Sequence, residues 1–256
     1  MKTTALGLPF DYQKYPEYFD ALNVNALEEK NAVIESVLKQ QNVKTVLDLT
    51  CGTGSQVFYL AKQGYDITGA DFSPGLLKIA RKKARAEKLK IKFIDGDMRN
   101  LQVGTFDAVI TIANAVGHLT QTGFEKAMRN IHKNLKPGGI YIFDIFNLEA
   151  MNDQKVADLY WHVYKKLKDL QIHTVQYSTL DRKKGLLTSY DTVVTQHKAN
   201  KPESFNNKFS LQIYTAKELQ DMLARNGFKT LAQYDLDGST FSNKTSTSIL
   251  TVAQKI

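Results

Sequence analysis

Between residues 43 and 146 short apolar runs alternate with amphipathic stretches, and this rhythm constrains the fold more than any other feature of the chain. The runs at 44–49, 66–70, 91–94, 106–112 and 140–146 have strand length and are rich in Val, Ile, Leu and Phe. Helix candidates lie between them at 55–63, 74–88 and 123–135. Ser73 before Pro74 is a helix opening, with the hydroxyl at the N-cap and the proline in the first turn. Lys136-Pro137-Gly138-Gly139 reads as a helix stop. Strands that alternate with helices predict a parallel sheet with helices on both faces.

The rhythm changes near residue 160. Runs at 161–167, 172–180 and 186–196 are rich in Val, Thr, Tyr and Leu, and Asp181-Arg182-Lys183-Lys184-Gly185 has the composition of a hairpin loop. A β-meander is expected there, followed by a polar loop at 199–207. Thr215 then caps a helix over 216–226 that Gly227 closes, and 228–236 pairs with 246–255 as an antiparallel hairpin. This gives three units: an N-terminal helical lid at 1–40, an α/β core at 41–147 and 208–256, and a β-meander cap at 148–207.

With 256 residues, 43% of them hydrophobic, the chain can bury a sizeable core without disulfides, and its single Cys51 could not form an internal one. A reducing, cytoplasmic setting is the simplest expectation. No secretory signal pattern or membrane-length apolar run is visible. The net charge of +8 raises the question of nucleic acid, but much of it lies in the segment 81–90, where Arg and Lys alternate with Ala and Leu. That pattern reads as a solvated helix face, with no interleaved aromatics to stack bases.

The sharpest local signal is VLDLTCGTG at 46–54, a buried strand that runs through Thr50, Gly52 and Gly54 directly into a helix. Glycines at such a corner let the backbone approach a ligand closely, and the carboxyl ends of parallel strands are where ligands bind. A nicotinamide-type fingerprint would need a third glycine where Val57 stands. S-adenosylmethionine has no phosphate and does not need that close helix approach. Asp48 at the strand end can accept from its methionine ammonium, or simply bond to loop amides. Asp71, at the end of the second strand, can take both ribose hydroxyls, or simply cap the following helix. Phe72 beside it offers a wall for adenine. At the third strand end Asp97 can accept the adenine amino hydrogens, and the Met98 amide can meet a ring nitrogen.

DLTCGTG, GADFSP, GDMRNL, FDAVITIANAVGHL and LKPGGIYIFDIF, in that order, resemble class I S-adenosylmethionine-dependent methyltransferases. The likeness covers about residues 30–150, with an echo in IYTAKELQDMLARNGF, and is nearest to the small-molecule branch of sugar N,N-dimethyltransferases and glycine or sarcosine N-methyltransferases. It implies a Rossmann-like, seven-stranded, mostly parallel sheet ending in an antiparallel hairpin, with the β-meander as an insertion. Thr50 departs from the glycine of the family's widest pattern. By the same resemblance the fourth strand end lies beside the methyl group. Ala113 would touch the methionine portion, Asn114 would orient the acceptor, and His118 would accept a proton or stand as an ordinary core histidine.

An Asn/Asp-Pro-Pro-Tyr motif for exocyclic base amines is missing at 113–116, and the one cysteine sits in the cofactor turn, away from any role in cytosine C5 transfer. No metal site is expected, because Asp144 has no companion acids near it in sequence. A small-molecule acceptor with a nitrogen or oxygen nucleophile remains, and no membrane partner. The glycine-type enzymes grip a carboxylate with an arginine where Phe146 would align, so a free amino-acid acceptor does not fit. Tyr15, Tyr18 and Phe19, in a lid that resembles the family's own, together with Phe146 and Trp161, are the candidate acceptor contacts. The alternatives are a dehydrogenase, an RNA methyltransferase and a protein that binds S-adenosylmethionine without catalysis.

Overall fold

The computed structural model describes residues 6–9, 12, 14–22 and 28–256. Residues 10–20 of the expected N-terminal lid are dense in aromatics, and of these Phe10, Asp11, Gln13 and the Asp20 side chain lie outside the described residues. Two helices come first, α1 (Pro16–Leu22) and α2 (Glu28–Gln40), and then the alternation begins. Its elements are β1 (Thr45–Asp48), α3 (Ser55–Lys62), β2 (Asp66–Asp71), α4 (Pro74–Ala86), β3 (Lys92–Asp95) and β4 (Phe106–Thr111). A 3-10 turn at Ala115–His118, α5 (Gln121–Lys133) and β5 (Leu135–Phe146) complete it. After a short α6 (Asp153–Ala157) come four long strands, β6 (Trp161–Leu167), β7 (Leu170–Asp181), β8 (Leu186–His197) and β9 (Glu203–Gln212). The chain closes with α7 (Ala216–Arg225), β10 (Phe228–Tyr234) and β11 (Ser248–Lys255).

The first sheet has seven strands in the order β10-β11-β5-β4-β1-β2-β3, with β11 antiparallel to both of its neighbours and the other six running in one direction. Its central strands are apolar on consecutive residues because both faces are covered. Val46, Ile110 and Ile142 face α2, α3 and α4, whose Leu38, Leu60 and Leu77 are buried there. Leu47, Val109 and Phe143 face the opposite way, against Phe124 and Ile131 of α5 and Leu219 and Leu223 of α7. The helices are capped as their sequences suggest. Ser73 accepts from Leu76 N at the start of α4, Thr120 opens α5, and Thr215 with Glu218 forms a full capping box.

The second sheet, β6-β7-β8-β9, is antiparallel throughout. Residues 199–207, expected as a polar loop, are a loop only to residue 202; from Glu203 they belong to β9. Its polar residues Ser204, Asn206 and Lys208 face solvent while Phe205, Asn207 and Phe209 alternate with them on the covered face. Strand β9 therefore crosses the expected boundary between cap and core at 207/208. A second difference concerns Lys136-Pro137-Gly138-Gly139. α5 ends earlier, at Lys133 with Asn134 as its C-cap, and the Pro-Gly-Gly stretch is a bulge inside β5, where the pairing with β4 shifts register. No described helix is long and apolar enough to cross a membrane.

Candidate functional site

The turn after β1 is held open from beneath by two buried carboxylates. Gly52 and Gly54 both adopt positive φ, 52° and 95°, and a Cβ at Gly54 would lie 2.6 Å from the Phe58 ring. Asp71 binds the turn through both oxygens: Oδ2 accepts from Gly52 N at 2.9 Å and Oδ1 from Ser73 N at 2.8 Å. One residue thus fixes the glycine corner and the start of α4 together. Asp48 is 1% exposed. Its Oδ1 accepts from Thr50 N at 3.0 Å, while Oδ2 is buried with no hydrogen-bond partner. Burial, only partly offset by the Thr50 amide, pushes the Asp48 carboxyl up to about 8. Burial likewise raises Asp71 to about 6 against the lowering effect of its amide bonds.

Above the turn lies a cavity of ≈ 280 Å³. Thr50, Gly52, Asp71 and Phe72 form one wall, and Asp97, Met98 and Ala113 form another. His118 and Phe19 also face it. Asp48, Gly54 and Asn114 stand behind this lining. Asp97 is not a bare acceptor. Arg99, two residues on, lays its guanidinium across both Asp97 oxygens, with Nε at 2.9 and 3.0 Å, and its own backbone N–H bonds Oδ1 at 2.8 Å. Burial alone would raise the Asp97 pKa, but the hydrogen bonds and charge of Arg99 more than offset it and hold that carboxyl below its usual range. Arg99 lines the cavity too, and sequence reading missed it because a lone surface arginine carries no motif.

At the end of β4, Ala113 and Asn114 both sit in the left-handed region, φ 65° and 58°, a conformation that costs a non-glycine residue about 1–2 kcal/mol. Asp144 holds Ala113 there. This carboxylate is 0% exposed and comes from the neighbouring β5; its Oδ1 accepts from Ala113 N at 2.6 Å. Lys30 of α2 donates to its Oδ2 at 3.0 Å and balances its charge. Neither residue was singled out as a partner of this loop, because they lie 114 positions apart in sequence. Asn114 Oδ1 is buried without a partner. His118 is buried, its Nδ1 is unpartnered, and burial lowers its pKa to about 4, so the ring is neutral near pH 7.

Tyr12 closes the cavity from the N-terminal side. Its hydroxyl lies 3.3 Å from His118 Nε2, and its ring meets Phe19 edge-on with centroids 5.3 Å apart. The Ser73 hydroxyl donates to the Tyr12 carbonyl, tying this ring to the start of α4. Of the expected acceptor contacts only Phe19 reaches the cavity. Tyr18 is fully buried and donates to Thr174 Oγ1 at 3.2 Å, and Tyr15 packs with it on the second sheet, its hydroxyl 3.3 Å from Thr195 Oγ1. Trp161 packs against the same cluster. Phe146 lies half-buried against the main core at the end of β5.

Residues 46–139 match the methyltransferase domain family. Over that stretch the chain is similar to methyltransferase domains. A protein of Geobacillus sp. (strain WCH70) named as a methyltransferase is 30% identical over 147 residues, 55% of this chain and 60% of that protein. The glycine N-methyltransferase of Oryctolagus cuniculus is 27% identical over 196 residues, 70% of this chain and 66% of that enzyme. The chain thus spans less than two thirds of the Geobacillus protein. In three dimensions the seven-stranded sheet and the second sheet align with a sugar N-methyltransferase from Streptoalloteichus sp ATCC 53650, TM-score 0.77 at 16% identity, over 100% of this chain and 96% of that one. The strand order and the terminal antiparallel pair agree with the seven-stranded sheet the sequence implied.

Proposed function

We propose that this chain transfers the methyl group of S-adenosylmethionine to a nitrogen or oxygen of a small-molecule acceptor. The observation that carries the reading is the orphaned Asp48 Oδ2, buried under a glycine corner beside Asp71 and lacking only a cation or donor. The residues present fit the cofactor. Asp48 would hold its ammonium, directly or through water, and Asp71 keeps lone pairs for the ribose hydroxyls. Phe72 and Met98 would flank the adenine, whose amino group would share Asp97 with Arg99. When bound, S-adenosylmethionine supplies a methyl group activated by its sulfonium.

The chain itself positions and dries. Leu119 and Ile112 give the cavity an apolar floor, and the Asp144-held turn presents Ala113 to it. His118, neutral and aimed at the Tyr12 hydroxyl, is the group that accepts the proton an attacking ammonium or hydroxyl must lose. In-line displacement needs little else than a nucleophile held close in a water-poor pocket. Phe146 offers no charge for a carboxylate. The basic helix face does not favour nucleic acid either, since Arg81 of α4 is occupied by Asp95 at 2.6 Å and the Phe93 carbonyl at 3.1 Å. The names of the relatives, for glycine and for sugar nitrogen, support a small acceptor with an amine. Calorimetric titration tests the donor: S-adenosylmethionine binds and NAD does not. No heat from S-adenosylmethionine would sink the reading.

A further inference from the structure

Four residues from four strands form a straight row across the covered face of the second sheet. Trp161 is paired with Gln176, Gln176 with Asp191, and Asp191 with Asn207. Residues directly opposite share one face, so these side chains stand side by side. The next row on that face, Val163, Thr174, Val193 and Phe205, is covered by α1 and the residue before it: Tyr18 bonds Thr174, and the Tyr15 ring stacks on Phe205 at 6.2 Å. The row on the other side, Ser178, Ser189 and Phe209, leads to the site, because the Phe209 ring lies 5.9 Å from that of His118. Successive rows are about 7 Å apart. The polar row therefore sits between the aromatic cluster of α1 and the histidine at the methyl-transfer site.

Within this row Asp191 is incompletely satisfied. It is 4% exposed; Oδ2 accepts from Asn207 Nδ2 at 3.0 Å, and Oδ1 is buried with no hydrogen-bond partner among the described residues. The neighbouring row shows the contrast, since Ser178 and Ser189 satisfy each other across the strands at 3.0 Å. A buried carboxylate oxygen without a donor is destabilising, and a fold that needed only structure here would be served better by a neutral residue. Among the described residues no lysine or arginine stands in the row or bonds Asp191. Burial also raises the Asp191 pKa above the usual carboxylate range.

We propose that Asp191 is the acceptor-recognition residue, and that its unfilled oxygen anchors the ammonium of a small, positively charged amine held between the second sheet and His118. This rests on the methyl-transfer reading for placing the acceptor beside His118. Asn207 fixes the carboxylate from one side, and Trp161 and Gln176 extend the row from which an amine is gripped. A carboxylate-bearing acceptor is repelled at this position.

Binding separates the inference from the donor reading. Glucosamine, ethanolamine and histamine are titrated into wild type and Asp191→Asn, with and without S-adenosylhomocysteine; glucose, catechol and glycolate serve as uncharged and anionic counterparts. At least one amine binds wild type, and the counterparts bind about tenfold more weakly or worse. Asp191→Asn weakens that amine about tenfold or more, the loss of a charge-assisted hydrogen bond, while the melting temperature does not fall and S-adenosylmethionine affinity is unchanged. Asp191→Ser carries the same test if the asparagine variant loses its fold. Equal amine binding by the variant, equal binding of catechol or glycolate, or no amine binding at all would overturn the proposal. Amine binding that needs Asp191 in a protein that ignores S-adenosylmethionine would instead refute the donor and leave the acceptor site standing.

Discussion

Lys30 Nζ lies 3.0 Å from Asp144 Oδ2, so a lysine of the second helix neutralises the carboxylate that holds Ala113 in its left-handed turn. Lys30→Met removes the partner of a charge that is 1% exposed at the side chain. The expected cost is about 3 kcal/mol in urea denaturation, with Lys30→Arg recovering most of it. If Lys30→Met is as stable as wild type, the pair does not anchor this turn.

Gly54→Ala forces a side chain into φ 95° and against Phe58. A loss of about 1–2 kcal/mol is expected from the conformation alone, more if the ring cannot move. S-adenosylmethionine affinity should fall with it, which calorimetry on the folded variant checks.

Asp48 makes the ligand-free protein less stable as pH rises. Its folded pKa is raised to about 8, above the ordinary carboxylate value, so between roughly pH 4 and 8 the unfolded chain has released a proton the native state keeps. Stability therefore falls across that window, by at most about 1.4 kcal/mol per pH unit for this group, and levels off above it. Asp71, raised to about 6, adds to the slope in the lower half of the range. Asp48→Asn should flatten the stability profile between pH 6 and 8 and weaken S-adenosylmethionine binding. An unchanged slope in that variant counts against the assignment.

His118→Gln should lower the rate of methyl transfer by about 10²-fold or more if the ring is the proton acceptor, with S-adenosylmethionine affinity little changed. Because burial lowers the His118 pKa to about 4, the wild-type profile should show no histidine inflection between pH 5 and 8. Full activity in the variant would reduce His118 to a wall of the cavity.

Tyr18→Phe removes the bond to Thr174 inside a packed cluster. It should cost about 1 kcal/mol in stability and leave the acceptor KM unchanged. A raised KM would restore Tyr18 as an acceptor contact, the role its place in an aromatic lid had suggested.

Most of the core was legible because its signals are local. The strands at 46–48 and 140–146 are apolar on both faces apart from Asp48 and Asp144, as strands covered on both faces are expected to be, and Ser73 and Thr215 mark helix starts by their own hydroxyls. β9 was misread in part because its inward residues are separated by Ser204, Asn206 and Lys208, so half-burial looked like a polar loop. The site divides the same way. Gly52, Asp71 and Met98 were readable from strand ends in succession. Arg99 carries no pattern of its own, and Tyr12, legible only as one ring of the N-terminal aromatic lid, became distinct from the others where it closes on His118.

By itself the sequence determined the alternation that builds the parallel sheet and the glycine corner that opens it to a ligand. Those depend on residues within a few positions of one another, where periodicity, capping and φ preferences act. The tertiary structure alone decided that Lys30 meets Asp144, that Tyr18 is buried rather than presented, and that Asp191 stands one row from Phe209, whose ring meets His118. Each of these joins elements distant in sequence, and the buried carboxylates acquire their character only when packing has removed water and supplied, or withheld, a partner.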